Sequence, residues 1–398
     1  MRRVLLVVYE AYARDSRVRR HARALAGAGH VVEVAALVDE HSVDAARQDG
    51  VTLVSLGARK YRGRSRVAYL LAYLAFSVRT FAAVTVRVLR RRVDVVYVNN
   101  PPDFLVFAAI AARMRGLPIV LDIHDLTSDL YQAKFGGRGA AGWLIERIER
   151  GSVRFADAVV TIHDIYAERL AAMARPGTPV VGVWNVPDAD AWLPVGDHRA
   201  EEPYATDPPA ADRPLRLGHH GTIVERFGVD QAVAAVATLR ARGVPVTLSI
   251  LGDGDFADEL ETRIAESGAA DAIDFDRRTF SHDDLESFTV RIDVGVAPYR
   301  PSSFSEHGLP TKVLEYVTLG VPVVVTETAM LRRHLADQVR LVSGRSVEEL
   351  TDAIAEMADP EVRARYRRGG RAAAHEMGWP GQRTKLIDLI MGLGRPIR

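Results

Sequence analysis

The chain contains no cysteine, which excludes disulfides, thiolate nucleophiles and cysteine-ligated metals together and fits a reducing, cytoplasmic setting. Net charge is nearly absent as well: Lys+Arg 52 against Asp+Glu 51 leaves +1. Whole-chain electrostatics therefore give no support to a nucleic-acid partner. No short internal repeat is found. The opening MRRVLLVVYEAYARD lacks the small-residue cleavage site of a secretory leader, and Glu10 interrupts its apolar run, so Val4–Val8 reads as a first strand. A charge-free membrane span is also missing. The longest apolar run, Val67–Val86, contains Arg79, which would cost about 2.5–3.5 kcal/mol at mid-bilayer. Acid is missing locally too: every charged residue from Arg59 to Arg92 is basic. That segment reads either as a basic, aromatic-rich helix lying on an anionic membrane surface through residues 59–92 or as a crossover helix with a basic rim.

What is present is a 398-residue chain with 48% hydrophobic residues, enough for two or three domains. Short apolar runs alternate with helical patterns from the start, the signature of parallel sheets covered by helices. The first series runs Val4–Val8, Val31–Leu37, Val51–Leu56, Val93–Asn99, Ile119–Asp122, Ala158–Ile162 and Val180–Trp184, with helices expected at Val18–Ala28, Phe104–Arg115 and Trp143–Ala156. A Pro/Asp/Ala-rich stretch without periodicity follows, and a second series starts at Leu215. The expected division is 1–187, a connector 188–213, a second domain 214–378, and a terminal helical segment 379–398 that Trp379-Pro380 begins and that runs through Lys385–Leu393.

Loops at the carboxyl ends of such strands are where ligands bind. Asp15 and Arg17 follow the first strand, and Asn100 and Asp103 the fourth. Asp15 and Asp103 also have the positions of helix caps. The D-I-H-D run at Asp122–Asp125 admits a metal site, an acid–base pair of His124 with Asp125, or a loop histidine. The D-x-D at Asp188–Asp190 reads as loop, and that at Asp253–Asp255 as turn and N-cap chemistry. Ser346-x-x-Glu349 reads as a capping box.

The stretch from Phe304 to Glu327 is the richest. Pro310 suits the first position of a helix opening at Leu309–Thr311, and Gly308 lets the backbone approach a ligand. The N–H groups of Thr311 and Lys312 then point at an anion such as a diphosphate. Lys312 and Glu315, three apart, share a helix face, the carboxylate placed to accept two ribose hydroxyls. Gly320 closes the helix, and Val321–Thr326 reads as a buried parallel strand.

This stretch resembles the C-domain signature of the retaining GT-B glycosyltransferases of family four (group 1 type), a Glu-x7-Glu pair ahead of a G-x-P-V-V strand. It departs by one residue: counting back from Glu315, the first Glu position falls on His307, with Glu306 one further away. G-T-I-V-E-R-F-G-V-D at 221–230 resembles the family's first C-domain loop, with Thr222 in place of the more usual Arg. D-S-R-V at 15–18 and N-x-P-P-D-F-L from Asn99 resemble its N-domain. The resemblance spans nearly the whole chain. It implies an α/β GT-B fold, two Rossmann-like doubly wound domains facing across a cleft, the terminal helix packing back on the N-domain.

The same resemblance implies transfer of a sugar from a nucleoside diphosphate donor to an acceptor hydroxyl with retention, without cofactor or metal. Catalytic roles fall to His124, Arg226 and Lys312, and donor contacts to Gly221, Thr222, Arg278, Glu306, His307, Gly308, Leu309, Thr311 and Glu315. Asp15, Arg17, Asn100 and Asp103 lie on the acceptor side. The expected partners are a nucleotide sugar, an acceptor glycan or small molecule, and an anionic membrane at the inner face. Competing readings are a natural-product transferase, a nucleotide-sugar epimerase and a non-catalytic partner of another transferase.

Overall fold

The computed structural model describes residues 1–57, 60–61, 66–135, 139–186, 213–280, 282–302, 306 and 308–394. The expected connector, except for its last residue, the D-x-D at 188–190, and His307 lie outside them. Two compact units are formed, Met1–Asn185 with Pro380–Arg398, and Val186–Trp379.

Unit 1 is built on seven parallel strands: β1 Arg3–Ala11, β2 Val31–Leu37, β3 Thr52–Ser55, β4 Val95–Asn99, β5 Ile119–Ile123, β6 Ala158–Thr161 and β7 Val180–Gly182. Their order is β3-β2-β1-β4-β5-β6-β7. The chain reverses its direction of winding between β1 and β4, whose register pairs Val4 with Val95 and Val7 with Val98. The helices are α1 Ser16–Gly27, α2 Ser42–Gln48, α3 Arg66–Leu89, α4 Ile110–Met114, α5 Thr127–Phe135, α6 Ala140–Phe155 and α7 Asp164–Ala171. Strands β4 and β5 are buried at every position, which is why they read as continuous apolar runs rather than alternating ones.

Two expectations are corrected here. The helix expected at Phe104–Arg115 is a 3-10 segment, Asp103–Ala109, leading into the short α4. Its N-cap, Pro102, offers no side-chain acceptor, so the tighter turn opens the element. Helix α6 begins at Ala140, three residues ahead of expectation. The terminal helix, α15 below, begins at Trp379, as the Trp379-Pro380 pair implies.

Helix α3 crosses from β3 to β4. Its inner face carries Phe76, Thr80, Val84 and Val88, all buried at four-residue spacing, and Tyr73 and Phe76 set their rings edge-on against Tyr9 of β1 at 4.9 and 4.8 Å. Its outer face is apolar too: Leu71 is 59% exposed, Val78 68% and Leu89 63%. Over Leu70–Leu89 the helix has the length and mean hydropathy of a membrane span, with 22% of it buried. Arg79 does not divide the outer face as its sequence position implies. Its guanidinium reaches back to the Leu56 carbonyl at 3.0 Å, and Arg87 pairs with Glu33.

Unit 2 has six parallel strands: β8 Leu215–His220, β9 Val246–Leu251, β10 Ile273–Asp276, β11 Val294–Ala297, β12 Val323–Thr326 and β13 Arg340–Val342, in the order β10-β9-β8-β11-β12-β13. Its helices are α8 Val229–Ala241, α9 Ala257–Glu266, α10 His282–Thr289, α11 Thr311–Thr318, α12 Ala329–His334, α13 Val347–Glu356 and α14 Pro360–Met377. Helix α15, Trp379–Gly392, follows, and from Pro380 onward it belongs to unit 1. Gln382 accepts from the Trp184 N–H there at 3.0 Å. Of the expected capping box, Ser346 caps the N–H groups of Glu348 and Glu349, whereas the Glu349 carboxylate turns to Ser343.

At the centre of this sheet Gly295 of β11 lies opposite Gly218 of β8. A Cβ on Gly295 would stand 2.6 Å from the Tyr316 ring, and Tyr316 donates its hydroxyl proton to the Gly218 carbonyl at 3.0 Å. Gly295 therefore lets α11 lie close on the sheet, over its point of reversal between β8 and β11, while a Cβ on Gly218 would meet Ile292 at 2.5 Å instead. Residues at the start of α11 are thereby brought to the carboxyl end of β8.

Candidate active site

Helix α11 starts at Thr311 with Pro310 as N-cap, extended at ψ 120° and without a side-chain cap. Pro310 thus stands one place before its expected first helical position, because its ψ remains extended. Among the described residues the N–H groups of Thr311 and Lys312 have no acceptor; the first bonds back to Pro310 come from Val313 and Leu314. The preceding turn is anchored: Thr328 donates to the Gly308 carbonyl at 2.8 Å, and the Ala329 N–H to that of Glu306 at 2.7 Å. Glu306 and Thr311 are exposed, and Leu309 is half-buried.

Lys312 is 6% exposed. Its Nζ lies 3.1 Å from His219 Nε2 and over the rings of Phe227 and Tyr299, 4.9 and 5.5 Å from their centroids. Burial lowers the amine's pKa to about 7, against an opposing pull from Glu315. Gly221 is indispensable beside it: with φ +118°, it would hold a Cβ 3.2 Å from Nζ. Gly252, at the end of β9, packs so tightly on that turn that a Cβ there would stand 1.9 Å from the Gly221 carbonyl oxygen.

One turn further along α11, Glu315 Oε2 accepts from His220 Nε2 at 2.7 Å. Its second oxygen has no hydrogen-bond partner among the described residues, and the side chain is 22% exposed. His220 sits among Tyr316, Phe280 and Phe288. Burial pulls its pKa down and Glu315 pulls it up, the former prevailing. The neutral ring fixes one carboxylate oxygen and leaves the other turned outward. Arg226, on the loop after β8, rests its guanidinium 5.2 Å from the Phe227 ring that also carries Lys312, so both expected cations meet at one aromatic side chain. Thr222 is exposed on the same loop.

Arg278 is placed apart from this group. It lies at the end of the edge strand β10 and is engaged by Asp276 at 2.8 Å and Asp284 at 2.9 Å. Asp253 is not an N-cap: it pairs with Arg277 at 2.9 Å, and α9 is entered from Phe256 without a side-chain cap.

In unit 1 the strand ends gather a polar cluster around Asp122, which is wholly buried. Arg17 donates to both its oxygens, at 3.2 and 2.9 Å, and to the Val183 carbonyl at 2.7 Å. Tyr97 donates to Asp122 at 2.9 Å, and His21 lies 3.3 Å away. Arg17, being 4% exposed, spends its guanidinium inside the fold. Asp15 accepts from the Val18 N–H at 2.9 Å as the cap of α1.

His124 follows β5, its N–H donating to Asn100 Oδ1 at 2.7 Å and its Nε2 lying 3.3 Å from Asn99 Oδ1 and 3.6 Å from Asp122. Asn100 donates in turn to Asp103 and to the Asp125 carbonyl, both at 2.8 Å. Burial raises the Asp103 carboxyl pKa despite that bond. His124, Asn100 and Asp103 are thus one hydrogen-bonded group at the carboxyl ends of β4 and β5.

Residues 15–185 match the Glycosyl transferase 4-like domain, and residues 214–359 match the Glycosyl transferases group 1 domain. The chain belongs to the group 1 glycosyltransferases. This transferase is 26% identical over 263 residues to the GDP-mannose-dependent alpha-(1-6)-phosphatidylinositol monomannoside mannosyltransferase of Mycolicibacterium smegmatis, covering 63% of this chain and 67% of that protein. It is 29% identical to the 2-deoxystreptamine glucosyltransferase of Streptomyces kanamyceticus over 49% of this chain and 50% of that one. The crystal structure of Anabaena HepE in complex with UDP is similar with a TM-score of 0.73 at 15% identity, covering 98% of this chain and all of that one. That likeness is one of fold, GT-B with two Rossmann-like domains.

The sequence reading of the transferase passed over His219, His220, Phe227 and Tyr299. The available signal was two adjacent histidines at the end of a buried strand, just ahead of a glycine turn. Neighbours on a strand point to opposite faces, so no local spacing joins one to Lys312 and the other to Glu315.

Proposed function

We propose that this transferase moves a sugar from a nucleoside diphosphate donor to an acceptor hydroxyl at an anionic membrane surface, with retention at the anomeric carbon. The donor half is carried by one observation, the buried Lys312 amine at the opening turn of α11 with no carboxylate in ion-pair range among the described residues. A diphosphate supplies the missing counter-charge there. Lys312, Arg226 and the helix N–H groups provide the positive charge that a leaving diphosphate needs, in place of a metal. The outward oxygen of Glu315 suits a ribose hydroxyl. The leaving phosphate takes the acceptor's proton in a front-face attack. Donor identity is read by a thermal-shift panel of UDP, GDP, ADP, dTDP and their sugars. One nucleotide at about 100 times its Kd should add about 2.7 kcal/mol to stability. If none stabilises the protein, the donor reading fails, and consumption of donor without acceptor would favour an epimerase.

The acceptor half rests on α3. Its apolar outer face, with Arg90, Arg91 and Arg92 after its C-terminus, has the composition of an interfacial helix attracted to acidic lipid. Phe107 and Met114, on the elements that pack against α3, add exposed apolar area. The mannosyltransferase relative is named for a phosphatidylinositol acceptor and the glucosyltransferase relative for 2-deoxystreptamine, so a soluble small-molecule acceptor is the rival. The paired change Leu74→Glu with Val78→Glu alters side chains that are 46% and 68% exposed and should leave the fold intact. Each loses about 1.5 kcal/mol or more of apolar burial in lipid, so co-sedimentation with anionic vesicles should fall roughly a hundredfold. Equal sedimentation of variant and wild type would remove the membrane from this account.

A further inference from the structure

Resting on the donor-site reading above, we infer that donor binding draws a proton from solvent onto the Lys312 amine, and that His219 is the positioning residue holding that amine in place. No bond to the donor is made. The step converts a neutral amine into an ammonium when the diphosphate arrives.

The geometry around the Lys312 amine is what requires this. His219 Nδ1 lies 2.8 Å from the Val296 carbonyl, so Nδ1 carries the proton and Nε2 the lone pair that faces Lys312 Nζ at 3.1 Å. Burial, then the neighbouring lysine, holds His219 well below the usual histidine range, and it stays a neutral acceptor. Around the amine are His219 and His220 from β8, Arg226 and Phe227 from the following loop, Tyr299 after β11, and Glu315 from α11 itself. Helix α14, packed on α11, brings Arg367, which donates to the Gly320 carbonyl at the far end of that helix. Only Glu315 among these is an anion, and it is bonded to His220 rather than to the lysine. A charged ammonium here would be desolvated without a counter-ion, and burial accordingly brings its pKa to about 7.

The sign follows from linkage. Above pH 7 the free site holds a neutral amine, and binding takes up a proton. Affinity for a nucleotide sugar should therefore fall about fivefold between pH 7 and pH 8 for a free-site pKa near 7, and rise by no more than about twofold below pH 7 before levelling.

Titration calorimetry at pH 8 in two buffers of different ionisation enthalpy, with UDP-glucose and GDP-mannose as probes, counts the protons directly. Uptake approaching one proton with the bound sugar nucleotide is the expected result. Binding without buffer-dependent heat would overturn the inference and leave the donor site standing, whereas no binding by either probe would overturn both. Lys312→Met, checked for folding by its melting curve, should show no proton uptake, and undiminished uptake would assign the proton elsewhere. His219→Phe removes the acceptor that steadies the ammonium, so the pH at which affinity declines should move lower. An unmoved profile in that variant would reduce His219 to packing.

Discussion

Lys312→Met should lower kcat/KM by about a hundred- to a thousandfold, the range seen when a single preorganised charge is removed from a developing anion. Methionine matches the stem of the lysine and still fills the space between Phe227 and Tyr299, so the fold should survive. What disappears is the buried Lys312 amine beside the turn at Gly221, which carries the charge once donor is bound. Charge builds on the bridging oxygen of the diphosphate as the glycosidic bond breaks, so the loss should fall on kcat as well as on donor KM. Glu315→Ala gives the contrast: an outward carboxylate oxygen that meets a ribose acts equally in ground and transition states, and its loss should appear mainly in KM. Steady-state kinetics with the donor identified by thermal shift separates the two patterns. Unchanged kcat in Lys312→Met would remove the lysine from the chemistry.

Asp122→Ala should destabilise unit 1 by about 3–5 kcal/mol, because it strands the Arg17 guanidinium in the interior without its partner. For a unit of this size the melting temperature should drop by about 6–20 °C. Burial pushes the Asp122 carboxyl up, but Arg17 first and His124 next pull it down further, and it ends well below the usual carboxylate range. Its stabilising contribution is present at neutral pH and is lost as pH falls through the acid range. His21 acts in the same sense. Burial, with Arg17 adding to it, lowers its pKa to about 4, so the 3.3 Å contact with Asp122 is made by a neutral ring.

An unfolded histidine binds its proton from about pH 6.5, whereas native His21 resists down to about 4. Stability should therefore decline between those values as pH falls, and be full above them. Urea midpoints at pH 7 and pH 5 check the wild-type slope, and in Asp122→Ala the midpoint should be depressed already at pH 7. A variant with the wild-type midpoint would mean that Arg17 has found another anion.

The elements legible in the sequence are those that local chemistry decides. Alternating apolar runs and helical spacing gave two parallel α/β halves, since a strand buried on both faces must be apolar throughout. Gly308, Pro310 and Gly320 bracketed α11 to within a residue, because backbone φ and a missing N–H act on the residue that carries them. Where a local signal competes with a tertiary one, the reading was less complete. Phe104–Arg115 has helical spacing but opens as a 3-10 turn after Pro102. Arg79 looks like a break in an apolar helix until its guanidinium is seen to bond the Leu56 carbonyl on another element.

What only the tertiary structure decided is which side chains share a charge. Arg17 and Asp122 stand 105 residues apart, and His219 and Lys312 stand 93 apart. Each pair meets because parallel strands with crossover helices set distant chain segments side by side at one end of a sheet. Sequence alone determined that a basic side chain and a carboxylate would face the same way from one helix. The packing of Tyr316 on Gly295 and its hydrogen bond to the Gly218 carbonyl decided that the lysine is buried, lowered in pKa by that burial and placed beside a histidine, because desolvation depends on every neighbour in space and on none in particular along the chain.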